Sequence, residues 1–195
     1  EHLLSSFAGC GISYIHIEVD GKEIPLLDGS AIQWIKAFEE VGIKKVPKPS
    51  NFMEKINQSK IFNQNDSVIS LVPSEKLTII STIDFKYEAI GSQTFIIDLN
   101  PKDYVEMIAP ARTFGFKDQF QELSELGLIK GGSLENALVC DGDKWVNPPL
   151  RFANEPIRHK ILDLIGDLAL VGLPKAQIMV YKGSHSLNAL LASSL

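Results

Sequence analysis

With 195 residues, 45% of them hydrophobic and 22% charged, the chain has the composition of a globular protein able to bury a core, as one large domain or two small ones. A formal net charge of −5 excludes a general nucleic-acid binder, whose phosphate partners require a basic face. No apolar run reaches the roughly 18 residues of a membrane span, and Cys10 and Cys140, far apart in apolar runs, form neither a disulfide framework nor a CxxC metal site and are expected as buried thiols.

The chain opens Glu1-His2-Leu3-Leu4, with no initiator Met and no signal-like segment, which reads as a start inside a longer protein. Residues 1–9 have helical apolar spacing and stop at Gly9 and Gly11. Alternation in Ser13 to Val19 predicts a strand, with Ile15, Ile17 and Val19 facing a core and His16 facing solvent. After the Asp20-Gly21 turn, Glu23 to Leu27 reads as a short edge segment. Asp28 reads as an ordinary turn residue, and Ser30 as the N-cap of a helix over 31–41 that buries Ile32, Ile35, Phe38 and Val41 and ends at Gly42.

Lys44 to Pro49 is charged, proline-bearing and aperiodic, so a domain boundary is expected there, dividing 1–47 from 48–195. Strands are predicted over 52–56, 68–72, 77–85 and 94–99, followed by a helix starting over 102–108. Ala109 to Phe116 fits neither period: Thr113, flanked by Arg112 and two aromatics, lines a pocket or belongs to a loop over the core. Beyond it come a short helix over 119–126, a glycine-rich stretch from Gly127 to Ser133 that lacks the P-loop order, a strand over 134–139, a turn at Asp141-Gly142-Asp143 and a polar loop through Trp145 and Pro148-Pro149.

Ile157, Ile161, Leu162, Leu164, Ile165 and Leu168 then recur at helical spacing, which predicts an amphipathic helix from Pro156 to Val171. His159 and Asp163 stand four apart on one face, with Asp167 a turn further on. A nitrogen and a carboxylate held so by a rigid helix suit a divalent metal such as zinc, although such a pair also occurs on many solvated helices. A last strand over 176–182 and a turn through Gly183 to Ser186 lead to a final helix over 187–195. His185 lies where a side chain can face a cleft.

Glu1-His2-Leu3, Pro25 to Ala31, Ser81 to Phe85, Ala111 to Phe116, Gly127 to Ser133, Arg151 to Asp167 and His185 to Asn188 together closely resemble LpxC, the zinc-dependent UDP-3-O-acyl-N-acetylglucosamine deacetylase family of lipid A biosynthesis. The matches run the whole length in the family's order. The resemblance implies that His2, His159 and Asp163 bind Zn2+, that Glu1 is the general base, His185 the general acid, Asp167 the carboxylate orienting it, and Thr113 an oxyanion donor. It implies that Lys160 meets the substrate's phosphates. Phe114 and Phe116, with an insert over about 117–133 including Gly132 and Ser133, would wall the passage for the fatty acyl chain. The family usually has glycine immediately before the catalytic histidine; Ser184 stands there, strained if that position requires positive φ.

The expected fold is α+β, two layered sheet-plus-helix halves with the metal between them and the first half incomplete. The expected function is hydrolysis of acetate from a UDP-linked acylated glucosamine by a cytoplasmic monomer with no membrane span and no nucleic-acid partner. Two rivals are a non-haem iron oxygenase, which shares the two-His-one-carboxylate set, and a non-catalytic nucleotide-sugar or lipid binding domain on the same scaffold.

Overall fold

The computed structural model describes residues 1–46, 56–119 and 133–195. Among them the strands are β1 (Lys60–Gln64), β2 (Ser67–Pro73), β3 (Thr78–Asp84), β4 (Ser92–Asp98), β5 (Phe114–Phe116), β6 (Leu138–Asp141), β7 (Lys144–Trp145) and β8 (Ala176–Tyr181). The helices are α1 (His2–Gly9), α2 (Ile32–Val41), α3 (Pro101–Asp103), α4 (Glu155–Leu168) and α5 (His185–Ala192), with α3 running on into a π turn over Tyr104–Ile108. The fold is α+β. Five strands form one mixed sheet in the order β1-β2-β8-β3-β4, and three form a small sheet, β5-β6-β7.

The large sheet follows the period-two pattern of its strands. Ile69 and Leu71 of β2, Ile79 of β3 and Ile178 and Val180 of β8 are buried, and they share one core with Ile161, Leu162, Ile165 and Leu168 of α4. The β8 strand lies parallel to β3 and antiparallel to β2, so the end of the chain closes the middle of the sheet. In the small sheet β5 runs parallel to β6, and β6 turns into β7 through Gly142 at φ 69.

The helix α4 is buried nearly all round, as its apolar residues on several faces require. Pro156 sits in its first turn, where no N–H is needed. Against it lies α1, and the close approach depends on Gly166: a Cβ there would stand 2.3 Å from the Glu1 carbonyl oxygen. At its other end Gly9 meets the Tyr104 ring with equally little room, and the Tyr104 hydroxyl donates to Ser5 Oγ at 2.9 Å. Residues from the first and last parts of the chain are thereby brought face to face.

The expected strands at 68–72, 77–85, 94–99 and 176–182 are present within a residue or two. The one expected at Ser13 to Val19 is not: the segment is unpaired, and Tyr14, Ile15, Ile17 and Val19 are all exposed. Alternation marks a strand only where a neighbour supplies hydrogen bonds, and among the described residues no strand lies beside it. His16 is solvated as expected, 3.1 Å from Glu18. Glu23 to Leu27 is likewise unpaired. Residues 134–136 form a turn, because Asn136 Oδ1 accepts from the Ser133 backbone N–H and the Ser133 carbonyl accepts from Asn136 and Ala137, which delays β6 to Leu138. In α2 Ile35 is buried but Val41 is exposed at the helix end, and Cys10 is only half-buried, whereas Cys140 is buried; both thiols are free. The predicted strand over 52–56 and helix over 119–126 fall largely, and the domain boundary near 47 wholly, outside the described residues.

Candidate metal centre

His2 and His159 present their rings edge to face, centroids 4.9 Å apart. Asp163 Oδ1 lies 3.3 Å from His159 Nε2 and 3.8 Å from His2 Nε2. All three residues are buried, and their ligand atoms lie within 4.8 Å of one another, a group that can hold a metal ion. His159 donates Nδ1–H to the Ala111 carbonyl at 3.0 Å, which leaves its Nε2 lone pair turned toward the other two. The His2 Nε2 atom is buried with no hydrogen-bond partner among the described residues. Burial, and then the neighbouring His159, push the His2 imidazole from 6.5 down to about 3, so it stays a neutral lone-pair donor. Burial alone would raise Asp163, but the Lys160 ammonium, donating to Oδ2 at 2.9 Å, helps hold its carboxyl well below the usual range and keeps it anionic. An orphaned buried nitrogen, a second nitrogen of defined tautomer and a fixed carboxylate make a donor set that fits a divalent cation.

Glu1 borders this group, its Oε1 3.8 Å from His2 Nε2, and it is half-exposed. On the same side Glu1, Asp163 and His185 offer ligand atoms within 4.8 Å of one another. His185, expected in the turn before a helix starting at Leu187, is instead the first residue of α5, and it donates Nδ1–H to Asp167 Oδ2 at 2.8 Å. Chiefly through that bond, the imidazole pKa is raised above 6.5 despite partial burial. Ser184 is not strained: its φ is −136 and its side chain caps α5 by accepting from the Leu187 N–H at 3.2 Å.

The whole chain, residues 1–195, matches the family LpxC: UDP-3-O-acyl N-acetylglycosamine deacetylase. Proteins named UDP-3-O-acyl-N-acetylglucosamine deacetylase from Nostoc sp. and Synechocystis sp. are 47% and 45% identical to it, each across 100% of this chain and 71% of their own length. The chain belongs to this deacetylase family. A further relative of the same name, from Nautilia profundicola, is 42% identical over 100% of the chain and 67% of its own length. The deacetylase family is one of hydrolases, and among the described residues no helix is long and apolar enough to cross a membrane.

The other expected residues of the deacetylase site surround the triad unevenly. Lys160 donates to Asp163 Oδ2 at 2.9 Å and so is engaged within the centre. Thr113 is half-buried; its backbone N–H donates to the Gly29 carbonyl at 2.7 Å, and its hydroxyl has no partner among the described residues. Gly29, at φ 78, leaves space that a Cβ would take from Asn136. The Phe114 ring lies 6.4 Å from that of His159, and Phe116 stacks on Tyr87 at 4.2 Å, with Phe85 touching both. Ser133 is exposed and occupied in its turn, and Gly132 lies outside the described residues.

Sequence reasoning missed the supports. Asp28 is no ordinary turn residue: it pairs with Arg151 at 2.7 Å, and Arg151 also reaches the Pro110 carbonyl. Asn188 donates to Asp167 Oδ2 at 2.9 Å alongside His185. Glu155 is fully buried and accepts from both Arg112 and Arg151. A Glu in a helix's first turn reads as a partner of the helix dipole, so nothing local signalled this role. For Gly166 the one available signal was a glycine inside a strongly periodic helix.

Proposed function

We propose that this chain is a cytoplasmic, zinc-dependent hydrolase that removes acetate from a UDP-3-O-acyl-N-acetylglucosamine in lipid A synthesis. The observation that carries the reading is the buried Nε2 of His2, unpartnered among the described residues and facing His159 Nε2 and Asp163. His2, His159 and Asp163 would hold a zinc ion, which would supply Lewis-acid polarisation and lower the pKa of a water to about 7.

The chain's own groups do the rest. Glu1, half-exposed beside the centre, takes the proton from the attacking water at its carboxylate. The Thr113 hydroxyl donates to the acetamide oxygen as negative charge builds there. His185, charged and held through Nδ1 by Asp167, carries its other proton at Nε2 and delivers it to the departing sugar nitrogen, so acetate and a free amine leave. Lys160 keeps positive charge next to the centre, where the substrate's phosphates are to be met. Phe114 and Phe116, backed by Phe85 and Tyr87, offer the acyl chain an apolar wall.

The test is metal content and acetate release from UDP-3-O-acyl-N-acetylglucosamine, wild type against His159→Ala, with circular dichroism to confirm that the variant folds. About one equivalent of zinc that is lost in the variant together with activity supports the proposal. Metal without acetate release returns the oxygenase or binding-domain reading, and a wild type that binds no metal sinks the mechanism.

A further inference from the structure

The peptide group joining Ala111 to Arg112 is gripped from both sides. Its carbonyl oxygen accepts from His159 Nδ1 at 3.0 Å, and its N–H donates to Glu155 Oε1 at 2.9 Å. Glu155 and His159 are one turn apart on α4, so carboxylate and imidazole lie on the same side of the helix with this single peptide bridging them. The Glu155 carboxylate is fully buried and also accepts from Arg112 Nε at 2.9 Å, Arg112 Nη2 at 3.2 Å and the Arg151 backbone N–H at 2.6 Å.

We infer that Glu155 is a positioning residue for the metal centre, acting on His159 through the Ala111–Arg112 peptide. A charged acceptor on an amide N–H polarises the amide and strengthens its carbonyl as an acceptor. A stronger acceptor at Nδ1–H holds the imidazole in one tautomer and one orientation and makes Nε2 the better ligand. Side-chain contacts to Arg112 would be enough for an ion pair that only closed the loop; here the carboxylate also takes the N–H of the one peptide that faces His159. Arg112 completes the support by donating to the Pro149 carbonyl at 2.9 Å, which keeps the loop from turning that peptide away.

This inference rests on His159 being a ligand, as proposed above, and its test separates the two. Glu155→Gln is compared with wild type and with Leu71→Ala, a core variant on β2, a strand that carries no residue of the centre. One measurement is the zinc dissociation constant against a chromophoric chelator; the other is the nitrogen NMR signature of the His159 ring in metal-free protein. Glu155→Gln is expected to weaken zinc binding by about tenfold or more and to move His159 from a single Nδ1–H tautomer to a mixture, while Leu71→Ala changes neither. Wild-type zinc affinity in a folded Glu155→Gln protein would overturn the inference. If that variant does not fold, wild type alone decides. A slowly exchanging Arg112 amide with an Nδ1–H ring supports the relay, and a fast amide or an Nε2–H ring refutes it. Failure of the function reading shows separately, as wild type that takes no zinc, and the ring measurement then still decides whether Glu155 governs His159.

Discussion

Gly166→Ala puts one methyl group between α4 and the start of α1. The new carbon would stand 2.3 Å from the Glu1 carbonyl oxygen and 2.9 Å from its carbonyl carbon, where an ordinary contact begins at 3.4 Å. The difference, about 1.1 Å, has to be absorbed by moving α1, because both neighbours are backbone and neither can swing aside. Overpacking of this kind costs about 1–3 kcal/mol, and the better helix propensity of Ala over Gly offsets about 1 kcal/mol of it. Net destabilisation of about 0–2 kcal/mol lowers Tm by no more than about 8 °C in a domain of this size. Glu1 and His2, however, ride on the segment that moves, and a misplacement of about 1 Å costs on the order of a hundredfold in rate. The variant is therefore expected to melt no more than about 8 °C below wild type while kcat/KM for acetate release falls about a hundredfold and zinc binds more weakly. Calorimetry, chelator competition and an acetate assay on the same preparation check this. Activity within threefold of wild type would falsify the argument that Gly166 sets the position of His2.

Asp167 raises the His185 pKa above 6.5, so the proton is held to higher pH than on a free histidine. The stability gained from that pairing is complete below about pH 6.5 and lost as pH rises through the raised value. In Asp167→Asn the raised pKa falls back, and the alkaline limb of the kcat profile is expected to move to lower pH; an unmoved limb would remove His185 as the general acid. Ile165 is fully buried in α4, so Ile165→Ala should cost about 2–5 kcal/mol and lower Tm by on the order of 10 °C. A fall within the scatter of repeat scans would contradict the packing described. Phe116→Ala removes the ring stacked on Tyr87 and is expected to raise KM for a long-acyl substrate while leaving a short-acyl analogue unaffected. Equal changes for both would place the acyl chain elsewhere.

Elements whose pattern and packing agree were readable beforehand. The α4 helix and the strands β2, β3, β4 and β8 carry apolar residues at the spacing of the face they bury, and each lies within a few residues of its expected bounds. Ser13 to Val19 shows the reverse case: an equally regular alternation, exposed throughout, because pairing depends on a partner and not on the segment itself. Ser184 was expected to be strained if its position required positive φ, yet it is extended and caps α5, since a serine hydroxyl can satisfy an N–H that a glycine leaves open.

The sequence by itself determined which residues were chemically equipped for the centre and which of them share a helix: His159, Asp163 and Asp167 are tied by 3.6-residue periodicity alone. The resemblance already pointed to His2; only the tertiary structure decided how near it comes to them, that Lys160 turns onto Asp163, and that buried Glu155 stands behind the peptide facing His159. The reason is one of range. Periodicity and capping are settled by neighbours a few residues away, whereas the separation of His2 from His159 is set by how closely α1 approaches α4, and that depends on the missing side chain of Gly166.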